Sequence, residues 1–108
     1  MANPHRGEVD LTINGQPVRM RLTLGALAEL EASLETGSLM ALAERFESGR
    51  ITTSDLVALL EAGIRGGGNE LPAGTLANAD IEGGAVGAMR AGLALLSAAF
   101  RPFQNEPA

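Results

Sequence analysis

Residues 8 to 22 impose the strongest constraint on how this chain can fold. Val9, Leu11 and Ile13 alternate with Glu8, Asp10 and Thr12, and Val18, Met20 and Leu22 alternate with Arg19 and Arg21; Asn14-Gly15-Gln16-Pro17 separates the two runs. Period-two alternation on both sides of Asn-Gly predicts a β-hairpin. A two-residue Asn14-Gly15 turn would pair Leu11 with Val18 and Asp10 with Arg19. A four-residue loop, which takes Pro17 out of the ladder, would pair Ile13 with Val18 and Asp10 with Arg21. Both registers share one parity: Val9, Leu11, Val18 and Met20 form an apolar face, and the opposite face sets acids across from arginines. Such a ribbon must lay its apolar face on something, and the helices that follow are the available cover.

Thr23 is a suitable N-cap for a first helix, Leu24 to Glu35, with Leu24, Leu27, Leu30 or Glu31, and Leu34 at helical spacing before Gly37. Ser38 would cap a second, Leu39 to about Ser48, that turns Leu39, Leu42, Ala43 and Phe46 inward and stops at Gly49. After the link Arg50-Ile51-Thr52, Thr53 or Ser54 would cap a third, Asp55 to about Arg65, whose Leu56, Leu59, Leu60 and Ile64 share one face. Asp55 in its first turn and Arg65 in its last suit the helix dipole, and Gly66-Gly67-Gly68 reads as a flexible stop. Pro72, Gly74, Asn78 and Gly83-Gly84 interrupt the next stretch, where Thr75 to Ile81 has room for one or two helical turns. The last helix, about Ala85 to Phe100, carries Val86, Met89, Leu93, Leu96 and Phe100 in a 3-4-3-4 stripe expected to face the core. Gly87, Ala88, Ala91, Gly92, Ala94 and Ala98 permit close backbone approach around it. The expected fold is α+β, an N-terminal hairpin on a small bundle of about four helices, with residues 1–101 as one domain and 102–108 as a flexible tail.

The chain of 108 residues has room for one domain, and a domain of that size buries roughly 65% of its unfolded surface. With no Trp or Tyr and three Phe, its core must be built from Leu, Ala, Ile, Val and Met. The net charge of −5 and the scatter of the eight arginines speak against a nucleic-acid partner, whose phosphates must be neutralised by clustered cations. The absence of Cys removes disulfides and thiolate metal sites. Residues 1–6 lack the apolar core of a signal peptide, and no apolar run approaches the roughly 18 residues of a membrane span. The reading is a soluble, unsecreted protein of the bacterial cytoplasm without membrane contact.

No residue constellation points to catalysis, a cofactor or a metal. His5, the single histidine, stands beside Pro4 near the N-terminus with no partner in view. Ser38, Ser48 and Ser54 occupy cap and turn positions, and no Gly-x-Ser-x-Gly elbow accompanies them. Glu29, Glu31, Glu35, Glu44 and Glu47 fall at solvated helix positions. Gly66-Gly67-Gly68 follows a helix, lacks the Gly-Lys-Ser/Thr ending of a phosphate loop and precedes the repelling charge of Glu70. The second and third helices echo a helix-turn-helix, but Leu, Val, Ala and Glu61 stand where base-contacting polar residues are needed. A small regulator of that type is therefore a remote alternative, and an enzyme is not expected.

The run Ala2-Asn3-Pro4-His5-Arg6-Gly7-Glu8-Val9, the block Leu22 to Glu31, Leu42-Ala43-Glu44-Arg45-Phe46 and the segment Leu59 to Gly68 resemble the small tail proteins of gene transfer agents and related siphophage-like prophages. The likeness covers residues 2 to about 68 and continues more loosely through the last helix. It implies a role in tail morphogenesis, first as a tail assembly chaperone that binds the tape measure protein before the tube polymerises. The alternative is a tail tube or minor virion subunit, located in the particle tail. A single hairpin argues against a major tube subunit, because tube rings are dominated by long β-sheets. The resemblance carries no catalytic motif. Partners are then the tape measure protein or other tail proteins, with homo-oligomerisation as a further option. Leu95 and Phe103, which lie off the last helix's stripe, are the candidate contacts, in a groove formed by the third and last helices.

The parity of the hairpin is directly testable. Leu11→Asp should lower stability by several kcal/mol, because it buries an unpaired charge, whereas Asp10→Ser should cost well under about 1 kcal/mol. Equal shifts of the two denaturation midpoints would refute the parity.

Overall fold

The hairpin closes in the tighter of the two registers. In a computed structural model that describes residues 7–34, 37–70 and 75–104, the side chains of Ala77 and residues 101–104 aside, strand β1 (Glu8–Ile13) pairs antiparallel with β2 (Gln16–Arg21), Leu11 opposite Val18 and Asp10 opposite Arg19. Asn14 (φ 53°) and Gly15 (φ 79°) both adopt the left-handed conformation that a two-residue hairpin turn requires. Pro17 stays in the ladder opposite Thr12. It fits because pairing alternates along an antiparallel ribbon, and with Ile13 and Gln16 closing the turn, position 17 directs its missing N–H away from β1. Leu11, Ile13 and Met20 are buried, Val9 and Val18 are half-buried, and Asp10 and Arg19 are exposed, as the parity demands. Glu8 departs from the alternation: it is buried, with Arg19 Nη1 3.9 Å from its Oε2 across the diagonal.

Four helices complete the α+β fold: α1 (Leu24–Ser33), α2 (Leu39–Ser48), α3 (Thr53–Gly66) and α4 (Gly84–Gln104). Their caps are local chemistry. Thr23 Oγ1 accepts from the Ala26 N–H and Ser38 Oγ from the Ala41 N–H, as the sequence suggests. The cap of α3 is Thr52 instead of Thr53 or Ser54, its Oγ1 accepting from the Asp55 N–H at 3.1 Å; Thr52 and Asp55 have the three-residue spacing of a capping box. Helix α2 ends in a Schellman motif, with the Gly49 N–H donating to the Phe46 carbonyl and the Arg50 N–H to that of Arg45. Helix α3 ends in the same way through Gly68 and Asn69. Helix α4 runs to Gln104, past the predicted start of a loose tail at 102.

Helix α3 is the centre: α1, β2 and α4 all pack on it. Leu56, Leu59, Leu60 and Ile64 are buried there, as their spacing predicts. Gly66 and Gly67 have a sharper role than the flexible stop read from the sequence. A β-carbon on Gly66 would collide with the Arg21 carbonyl oxygen, and one on Gly67 with that of Arg19. The end of α3 thus lies directly on the outer edge of β2, where Asn69 Nδ2 also donates to the Arg19 carbonyl at 2.7 Å. The Cβ position of Gly66 is also 3.2 Å from Ala26 Cβ, so α1 is drawn in at Ala26. Leu24, two residues earlier and about 200° around the helix, is left 86% exposed, against its expected place in the core.

The stretch after α3 covers the other edge of the ribbon. Leu76–Asn78 forms a single 3₁₀ turn that buries Leu76, and the chain then extends so that Ile81 bridges Ile13. The Asn14 N–H donates to the Asp80 carbonyl (2.7 Å), Asn14 Oδ1 accepts from the Asp80 N–H (2.8 Å), and the Glu82 N–H donates to the Thr12 carbonyl (3.0 Å). Both edges of the small sheet are therefore engaged within the chain.

The contact at Gly66 gives a sign test. In a helix, Gly→Ala ordinarily stabilises, and Gly25→Ala in α1 should do so by about 0.5 kcal/mol, since only ordinary contact with Thr23 Oγ1 awaits it. Gly66→Ala should instead destabilise by about 2 kcal/mol or more, because a backbone carbonyl cannot rotate away. Urea denaturation of the two variants checks the opposite signs.

Candidate assembly surface

Helix α4 is rotated about a third of a turn, at 3.6 residues per turn, from the orientation that its large residues predict. Its core face is Ala88, Ala91, Gly92, Leu95 and Ala98, all buried. Of the expected inward stripe only Leu96 is buried; Met89 and Phe100 are half-buried, Val86 is 61% exposed and Leu93 52% exposed. The cause is steric. A β-carbon at Gly92 would lie 3.0–3.1 Å from Leu56, Phe46 and Leu59, and one at Gly63 of α3 would lie 2.6 Å from Leu95 Cδ1. The helices interlock at glycines, each opposite a leucine of the other, so the small-residue face turns inward and the large-residue face turns out.

Of the two contact residues expected from the sequence, the structure describes the side chain of one. Leu95 has no exposed surface and belongs to the core beside Gly63 and Met20. Phe103 lies in the last turn of α4, and its side chain is outside the described residues. The surface available to a partner is the stripe that the sequence reading assigned to the core. Leu93, Leu96 and Phe100 form one wall of an open groove of about 640 Å³, and Met40, Ala43 and Phe46 of α2 form the other. Met40 is 74% exposed. Ser97 lies on the α4 side, and among the described residues the charged ones that line the groove are Glu44 and Glu47, both on α2. A second cleft, of about 470 Å³, opens between α3 and the start of α4, lined by residues such as Val57, Leu60, Ile81 and Met89. This is the one between the helices named from sequence, and Leu95 is not among its lining residues.

Apart from Glu44 and Glu47 at the groove, the other candidate positions that the structure describes form no cluster. Glu29, Glu31, Glu44 and Glu47 are exposed, and among the described residues no group of His, Asp and Glu could hold a metal ion. His5 and Glu35 lie outside the described residues. Helix α3, the presumptive reading helix of a helix-turn-helix, buries Leu56, Leu59, Leu60, Ala62, Gly63 and Ile64 in the middle of the fold, with α1, β2 and α4 packed on it. Among the described residues no helix is long and apolar enough to cross a membrane.

Residues 6–102 match the family described as phage tail tube protein, GTA-gp10, and the chain belongs to that family. No curated protein and no solved structure shows significant similarity to the chain.

The rotation of α4 separates two neighbouring leucines. Leu95→Ala should cost about 2–5 kcal/mol, as for a fully buried leucine, and Leu93→Ala less than about 1 kcal/mol. Urea denaturation midpoints of the two variants decide it; equal losses would mean that α4 is oriented otherwise.

Proposed function

We propose that this chain is a structural subunit of a phage-like tail, built into or against the tube, and that the α2–α4 groove is the surface by which it joins other tail proteins. The family match over residues 6–102 carries the reading. The apolar surface supports it, since Met40 and Leu93 remain exposed on the two walls of one groove, and contiguous exposed apolar area on a small protein marks an interaction site. The reading needs no cofactor and no catalytic group.

One observation favours a second reading, a tail assembly chaperone that engages the tape measure protein and then leaves. The sheet among the described residues has two strands of six residues each, with β2 packed against Gly66-Gly67 and β1 bridged at Ile81. Neither edge offers the long run of unpaired backbone from which a ring of sheets is assembled. Quantitative mass spectrometry of purified particles separates the readings. A structural subunit should be present in fixed proportion to the major tail protein. Its absence from particles, together with co-purification with the tape measure protein from lysate, would replace the first reading by the second.

A further inference from the structure

The α2–α4 groove specifies its occupant more closely than an apolar surface alone would. Both walls are helices, whose peptide groups are already bonded within themselves. An extended segment laid between them would bury its own N–H and C=O groups against leucine and phenylalanine with nothing to pair them, at a cost for each group. A helical occupant satisfies its own backbone and needs only side chains for the groove, which reduces the choice to helices with an apolar stripe.

Charge then selects among helices. Glu44 and Glu47 stand three residues apart on α2, hence on one side of it, and are exposed along the rim of the groove. Among the described residues no arginine lines the groove. A second copy of this chain would bring the same pair of acids and a net charge of −5 against them, which opposes a symmetric dimer across this face. We infer that the groove receives an amphipathic helix of another protein whose apolar stripe, seated between Leu93 and Phe100 on one side and Met40 and Phe46 on the other, is flanked by Arg or Lys that reach Glu44 and Glu47. That the donor is a tail protein rests on the function proposed above; the chemistry of the helix does not.

The test uses the full chain and two synthetic 18-residue peptides with the same leucine and alanine stripe, one flanked by arginine and the other by glutamate. Fluorescence anisotropy should show binding of the arginine peptide alone, weakening with added salt. Glu44→Gln with Glu47→Gln should reduce that affinity at least tenfold, and Glu29→Gln with Glu70→Gln, an equal loss of charge elsewhere, less than threefold. Leu93→Ser should abolish binding while the domain stays folded, its thermal midpoint lowered by no more than about 8 °C. Equal binding of both peptides, an equal effect of the two charge pairs, or binding that survives Leu93→Ser would overturn the assignment. So would self-association in analytical ultracentrifugation that Leu93→Ser removes, since the occupant would then be a second copy. Failure of the peptide assay with the chain present in particles would strike this inference alone. Specific peptide binding by a chain absent from particles would strike the structural-subunit reading alone.

Discussion

Gly63 is where the sheet, the central helix and the last helix meet. A β-carbon at that position would lie 2.6 Å from Leu95 Cδ1 and 3.3 Å from Met20 Cβ, so the missing side chain lets α3 receive the hairpin and α4 almost at one point. Gly66 repeats the device toward Arg21 and Ala26, and Gly92 repeats it in reverse by admitting Leu56, Leu59 and Phe46. The composition makes this close approach necessary. With three Phe and no Trp or Tyr, few side chains are long enough to bridge a gap between elements. Dispersion attraction falls steeply once surfaces separate, so a core of Leu and Ala reaches native density only if the backbones themselves come close.

That dependence explains which parts of the fold were legible in the sequence. The hairpin parity, the Ser38 and Thr23 caps, the Gly49 stop and the inward face of α3 follow from interactions within a few residues of one another, and each is found in the structure. The orientation of α4 is a different kind of fact. Periodicity weighs residues by hydrophobicity and so points Val86 and Leu93 inward, but the helix is positioned by what can approach α3, and that favours Ala88, Ala91, Gly92 and Ala98. The list of small residues held the needed signal; reading it required knowing that Leu59 and Leu56 stand opposite. The same blindness to the partner misplaced Leu24, and it turned Gly66-Gly67 from a close-packed contact into a flexible stop. The bridge from Ile81 to Ile13 was hidden because it joins positions 68 residues apart through one isolated pair.

The candidate surface follows from the same constraint. Once the small face of α4 turns inward, Val86, Leu93 and half of Met89 and Phe100 have nowhere to go within a chain of this size. Helix α2 covers Leu93 and Phe100 only partly, because Leu42 enters the core and Phe46 reaches over Gly92 while Met40 stays in solvent. The groove is therefore a consequence of how the core is built, with Glu44 and Glu47 keeping its rim hydrated.

Burial arithmetic sharpens the point. At about 25 cal/mol per Å² of apolar surface removed from water, turning Val86, Leu93 and Phe100 inward would contribute more to the stability of the isolated domain than turning in alanines and a glycine. The chain nevertheless leaves Val86 and Leu93 exposed, because α4 approaches α3 closely at Gly92 and admits a large side chain on that face only where Gly63 makes room for Leu95. From Gly84 to Phe100 the sole charged residue of α4 is Arg90, so the helix is apolar on nearly all sides, the pattern of a helix buried on nearly all sides. The domain alone covers one face of it. The remaining face is the one that the function proposed above gives to another tail protein.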